Sequence, residues 1–341
     1  MKQSTNTRVF TALCEQEFKT NYPQLDVTTL KATNPVSLSK VDLSQKNMAQ
    51  TGINAVTLSV ICGTVFGDSN LAIQSGYKNA RLQYRHSTRQ TEWFMWKTLC
   101  AMTEFLTDNS IQFQAPDGLQ RKTEPIGGET LGKWKVATLV SEKLTKVHSE
   151  ICPNNKKTIS RHWLNHMNDY FLMTLWLDDG SLSKGRQGVI SCNSTPLKQA
   201  EILAEYITTV WKAKCRAELV PSKVTSCGKS ELVPSSRFSQ LRSNPEPSQI
   251  VFVDLDNLQN FLRIVAPIVP VKSMLYKICL FPEDSGIRQR WTSELKTLVR
   301  PDFHFEIDKY YAYLEALREQ EEKQAKKQQA KNHNSEEDIV Q

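Results

Sequence analysis

Two stretches of this chain share one design, an apolar run that ends in an acid beside a glycine. Ile53 to Leu71 reads INAVTLSVICGTVFGDSNL, and Met167 to Leu182 reads MNDYFLMTLWLDDGSL. Charge at the end of an apolar helix is costly unless something compensates it. In the second stretch Phe171, Leu172, Leu175 and Trp176 recur at helical spacing, and Asp178, Asp179 and Gly180 bring the helix to a stop. A leucine stands three positions after Asp68 and again three after Asp179, so the two copies align at an offset of 111 positions. That period is the size of a small domain. With 341 residues, 39% of them hydrophobic, the chain can bury two such domains as a pseudo-symmetric pair.

Taken in order, residues 1–50 form a polar N-terminal extension. The first domain, 51–160, runs from the helix ending at Gly67 to a short strand from Leu71, a turn over 75–79 and an alternating strand from Ala80 to His86. A helix from Gln90 to Leu106 follows, then a polar loop containing Pro116, Gly118, Gly127 and Gly128, then a strand from Lys133 to Val140. The second domain, 161–281, repeats the order. Its helix ends at Asp179; a strand spans Gly188 to Asn193, a helix Pro196 to Lys214, and a further strand Cys215 to Val220. After a Ser- and Pro-rich loop over 221–247 come a strand at Ile250 to Val253, a helix at Leu255 to Ile264 and the segment MLYKI at 274–278. Residues 282–341 suggest two helices, Gly286 to Val299 and Phe305 to Glu322, and a charged tail with nothing to bury, frayed into disorder. The fold class is α+β, with helix, two strands, helix and further strands in each copy.

If the two apolar helices pack side by side in one orientation, Asp68 and Asp179 meet at one end. Gly63 and Gly67, four residues apart, remove bulk from one helix, while Thr174 and Asp178 hold the equivalent positions in the other. Two adjacent carboxylates repel unless a divalent cation shares them, which points to magnesium. The plainer alternative is that each aspartate caps the turn after its helix. Hard oxygen ligands beside a basic sheet suit metal-assisted phosphodiester hydrolysis. The net charge of +7 also points to an anionic partner. Alternation places Arg81, Gln83 and Arg85 on one face of a strand and Lys133 and Lys135 on one face of another. With Lys78, Lys184, Arg186, Arg216 and Lys223 they are the residues expected near DNA, either reading bases or neutralising phosphate.

His148, Cys152, His162 and His166 offer a competing zinc reading, without a paired-cysteine arm to complete it. The eight cysteines are spread without tight pairing, as reduced core thiols of an intracellular protein would be. No run of 18 or more apolar residues occurs, so neither secretion nor a membrane span is expected.

GTVFGDSNL and LWLDDGSL resemble the two motifs of LAGLIDADG homing endonucleases in their single-chain form. They are most similar to the branch typified by the yeast mitochondrial intron enzyme, and the likeness extends to NNKKTI at 154–159 and to MLYKI. The resemblance implies two pseudo-symmetric α-β-β-α-β-β-α units, with antiparallel, saddle-shaped sheets over the major groove of a long double-stranded DNA site and paired central helices. It implies a double-strand cut leaving 3′ overhangs. It maps metal binding onto Asp68 and Asp179, with magnesium as cofactor and manganese able to replace it, and it maps a catalytic lysine of each domain onto Lys157 and Lys277. A monomer encoded in a mitochondrial or chloroplast intron is the expected setting. The family also contains RNA maturases that assist splicing of their own intron, so intron RNA is the alternative partner, and a bifunctional protein fits as well.

Overall fold

A computed structural model describes residues 51–67, 69–107, 109–114, 132–165, 167–183, 185–192, 195–220 and 247–337. Asp68, Lys184 and Lys223 therefore lie outside the described residues, as do His166, the extension over 1–50 and most of the 221–247 loop.

The first unit consists of α1 (Ala55–Phe66), β1 (Ser69–Ala72), β2 (Arg81–Ser87), α2 (Thr91–Met95), β3 (Ile111–Gln114), β4 (Lys133–Ala137) and α3 (Glu142–Ile151). After the short α4 (Arg161–Leu164), the second unit repeats this order. It has α5 (Asp169–Asp179), β5 (Gly180–Ser183), β6 (Gln187–Cys192), α6 (Leu197–Val210), β7 (Cys215–Leu219), β8 (Ser248–Phe252) and α7 (Leu255–Val265). Both are α-β-β-α-β-β-α. The sheets have the matching orders β1-β2-β4-β3 and β5-β6-β8-β7, every pairing antiparallel.

α1 and α5 form the spine. Asn54 accepts from the Thr57 amide at 2.8 Å to start α1, and Asn168 does the same for α5 from Tyr170 at 3.0 Å. Thr57 through Phe66 are all buried, as are Tyr170 through Asp178. A helix covered on every side belongs to the centre of a molecule. A Cβ added at Gly63 would lie 2.7 Å from Thr174 Cβ, and one at Gly67 would lie 2.9 Å from Asp178 Cβ. The helices thus run side by side in the same direction, and the two glycines set their spacing. Phe66 stacks on Trp163 at 4.6 Å and meets Phe171 edge-on at 5.8 Å, which ties the two units together.

Each sheet turns one face inward. Leu82, Tyr84, His86, Trp134 and Val136 pack under Trp93 and Phe94 of α2, and Ile190, Ile250 and Phe252 pack under α6 and α7. The helix expected over 90–106 is broken into three. α2 passes into a π-helical stretch, Trp96–Ala101, and then a 3-10 turn, Thr103–Phe105. The wider turn buries Trp96, Lys97, Thr98 and Leu99 in succession, which a regular amphipathic helix would not do. β3 forms beside the stretch that reads as polar loop.

Beyond the second unit, a 3-10 segment, Lys272–Lys277, leads to α8 (Ser285–Leu298) and α9 (His304–Glu337). α9 continues past Glu322, where the sequence suggests fraying. Buried Ile307 and a Tyr311 hydroxyl donating to the Leu280 carbonyl at 2.9 Å dock its start. Arg318 pairs with Glu315 and Glu322, and Lys323 with Glu319, along its exposed side. Among the described residues no helix is long and apolar enough to cross a membrane.

Candidate metal and nucleic-acid site

The candidate site lies at the end of the spine where α1 and α5 stop. Asp179 is the last residue of α5, half-buried, and β5 begins at the next position. Its Oδ2 lies 3.0 Å from where a Cβ on Gly67 would stand, so the carboxylate rests against the residue that precedes Asp68 in the chain. The two sequence-predicted lysines arrive at corresponding helix ends. Lys157 Nζ donates to the Phe66 carbonyl at 3.4 Å, at the end of α1. Lys277 Nζ donates to the carbonyls of Leu177 at 2.6 Å, Asp178 at 3.2 Å and Trp176 at 3.4 Å, at the end of α5. Each ammonium thus sits on the negative pole of a motif helix. Trp176 Nε1 donates to the Lys277 carbonyl at 3.0 Å and holds that segment in place.

Asp178 plays a different part from its neighbour. Its side chain is fully enclosed, and both oxygens accept from Lys97 Nζ, at 2.9 and 2.8 Å. Trp93 Nε1 donates to Oδ1 at 2.7 Å, and His86 Nε2 lies 3.8 Å from the same oxygen. Burial by itself would raise the Asp178 carboxyl; the Lys97 ammonium, with His86 and Trp93, outweighs it and holds the group below the usual carboxylate range. Burial, then repulsion by Lys97, brings the His86 imidazole down to about 4. Lys97 is absent from the residues singled out in the sequence, although a lysine inside the apolar run WFMWKTLCAM signals a buried partner.

The outward face of the first sheet carries the predicted nucleic-acid residues together. The registers place Arg85 beside Lys135 and Lys135 beside Gln112, and in the next row Ser87 beside Lys133 and Lys133 beside Gln114. Gln83 stands opposite Asn70. Arg81 bonds Gln74 and lies over the Tyr77 ring at 5.7 Å, and Gln74 donates to Gln83 at 3.3 Å. The amides Asn70, Gln112 and Gln114 complete this face; for the two glutamines the alternation in IQFQ was the one sequence signal. Lys78 is exposed in the β1–β2 turn.

The second sheet differs. Its outward rows are Ser181–Val189–Val251–Arg216 and Ser191–Gln249–Glu218. Arg216 pairs with Glu218 at 3.3 Å, and Arg186, in the β5–β6 turn, pairs with Glu283 at 2.8 Å. These two cations are matched by acids, whereas the first sheet gathers five predicted residues on one basic face.

Other candidate chemistry finds no support. Among the described residues no group of three or more His, Cys, Asp or Glu side chains is placed to hold a metal ion. His148 is buried and His162 exposed. The described cysteines are all free thiols, and burial pushes Cys192 and Cys215 up to about 12, far from nucleophilic at neutral pH.

A profile of the LAGLIDADG DNA endonuclease family matches residues 58–226, which include α5 and all but the first three residues of α1. No curated protein sequence matches the chain. The structure is similar to that of the homing endonuclease I-WcaI bound to its DNA recognition sequence. That likeness covers 73% of this chain and all of the other, at 15% identity and a TM-score of 0.50. A weaker likeness, to the LAGLIDADG meganuclease I-AabMI bound to uncleaved DNA, covers 75% of this chain and 97% of the other at 11% identity and a TM-score of 0.27. With the motif match and the duplicated α-β-β-α-β-β-α fold in agreement, the chain belongs to the LAGLIDADG endonuclease superfamily.

Proposed function

We propose that this protein is a site-specific DNA endonuclease of the homing type that cuts both strands of a long duplex site and leaves 3′ overhangs. The observation that carries the reading is the convergence of Asp179, Lys157 and Lys277 at the adjoining ends of two parallel helices, beside the residue preceding Asp68. The domain division assigns one half of the target to residues 51–160 and the other to 161–281, so a monomer suffices. Affinity with the branch of the yeast mitochondrial intron enzyme, and an organellar intron as the gene's home, belong to the same proposal.

The donor set suits a hard divalent cation. Asp178 is committed to Lys97 and Trp93, and Asp179 and Asp68 are the carboxylates assigned to magnesium or manganese. Bound there, the cation would supply charge neutralisation at the phosphate and a water of lowered pKa. Lys157 and Lys277 bring positive charge to the same helix ends, where it stabilises negative charge growing on a phosphate held between them. Arg81, Gln83, Arg85, Lys133 and Lys135 hold the duplex on the first sheet, through phosphates and base edges. The similar structure of I-WcaI, described as bound to its DNA recognition sequence, supports DNA as the partner.

The test is incubation of the full chain with Mg²⁺ and the intronless form of the gene that hosts its intron. A linear product with 3′ overhangs is expected, and Asp68→Asn and Asp179→Asn should each abolish cutting while duplex binding persists. Undiminished cutting by either variant refutes the site. Accelerated intron splicing without cleavage would establish the maturase reading instead.

A further inference from the structure

We propose that Lys97 is a positioning residue for the metal-binding carboxylate of Asp179, acting across the interface between the two units through Asp178. The inference rests on the metal-site reading above and assigns a role to a side chain outside it.

Lys97 is fully buried, and its ammonium spans both motif helices. It donates to Thr64 Oγ1 on α1 at 3.4 Å and to both carboxylate oxygens of Asp178 on α5. The Tyr84 and Trp93 rings lie 4.8 and 5.2 Å from it, so the aromatic faces that exclude water also favour the cation. Trp93 adds a second donor, and a third hydrogen bond, to the Asp178 carboxylate. On the other side of the same residue, Lys277 holds the Asp178 carbonyl and the two carbonyls before it. Asp178 is thus gripped by its side chain from the first unit and by its carbonyl from the segment after the second.

The peptide that joins Asp178 to Asp179 carries the carbonyl that Lys277 holds, and β5 starts directly after Asp179. Fixing that peptide fixes the direction in which Asp179 leaves the helix, against Gly67. Groups one step behind metal ligands commonly set ligand orientation, and their loss weakens metal binding by ~10–100-fold. The π-helical stretch fits the same role, because it turns Lys97 inward among residues that would otherwise alternate faces.

Lys97→Met alone would strand a buried carboxylate and destabilise the fold, so it cannot separate positioning from folding. Lys97→Met/Asp178→Asn can, because it removes both charges and retains an acceptor for Trp93. Mn²⁺ is titrated into the full chain and free ion is followed by electron paramagnetic resonance, with thermal melting measured in parallel. The double variant is expected to recover most of the melting temperature lost by Lys97→Met yet bind Mn²⁺ about tenfold or more weakly than wild type. Lys143→Met, which breaks the exposed pair with Glu104, should bind as wild type does. A double variant that binds Mn²⁺ within about twofold of wild type overturns the positioning role alone. A wild-type chain that takes up no Mn²⁺ overturns the metal-site reading and this inference with it.

Discussion

Replacing Gly63 with alanine is the most direct probe of the spine. The added Cβ would stand 2.7 Å from Thr174 Cβ and 2.9 Å from the Phe171 carbonyl oxygen. Carbon contacts are comfortable at about 3.5–4 Å, so one helix must retreat by about 1 Å. Neither obstacle can rotate away, since one is a Cβ and the other a backbone oxygen. Overpacking of this kind costs about 1–3 kcal/mol, and fixed obstacles place it in the upper half of that range. Against this, alanine in place of glycine inside a helix returns about 1 kcal/mol. The expected net loss is about 1–2 kcal/mol, read as a lower urea midpoint at unchanged slope. The same retreat opens the gap at Gly67, one turn further along, where Asp179 sits. A displacement of about 1 Å among reacting groups can cost about 100-fold in rate, so cleavage should fall far more than stability. A variant more stable than wild type by about 1 kcal/mol, the helix-propensity gain alone, would refute the close approach.

Two further outcomes follow from the electrostatics. His86, brought from 6.5 down to about 4, takes up its proton more readily in the unfolded chain. The stability it protects is complete above pH 6.5 and is lost as the pH falls towards 4, about 2 kcal/mol of it by pH 5. The depressed Asp178 acts in the same direction below its ordinary value. Urea unfolding at pH 7.5 and pH 5 should therefore show a drop in wild type that His86→Gln reduces; an equal drop in the variant excludes His86 as its source. On the basic face, Lys133→Gln/Lys135→Gln should lower the slope of log affinity against log salt by about 0.9 for each phosphate contact removed. An unchanged slope would show that neither lysine neutralises a phosphate.

Much of this was legible in the sequence because its signals are local. The glycines at 63 and 67 and the alternation over 81–86 depend on spacing within a few residues, the repeat offset shows as two similar local motifs, and the structure places all three as the periodicities require. Lys157 and Lys277 were legible only through resemblance, since no spacing relates them to the acids. Lys97 and Asp178 were beyond reach because 81 positions separate them. A buried lysine announces a partner without naming it. Arg186 and Arg216 looked like free cations on a DNA face; their acids, Glu283 and Glu218, become visible only in three dimensions or across a strand's own pleat. The break in the helix after Met95 was also hidden, because a π-helical stretch has no composition of its own.

The difference between the motifs, FGD in the first and LDD in the second, has a physical basis in the interface itself. Gly67 and Asp178 occupy equivalent positions in the repeat, and they also face each other across the pair. A symmetric assembly must place the same residue at both. Two glycines would leave Lys97 with no carboxylate and the end of α5 without its grip. Two aspartates would bring a Cβ to within 2.9 Å of its counterpart and set a second buried carboxylate beside the first. Only a chain that carries both units can put the small residue on one side and the acid on the other. The duplication thus permits an asymmetric ion pair at the end of two closely packed helices, which no symmetric pair could build.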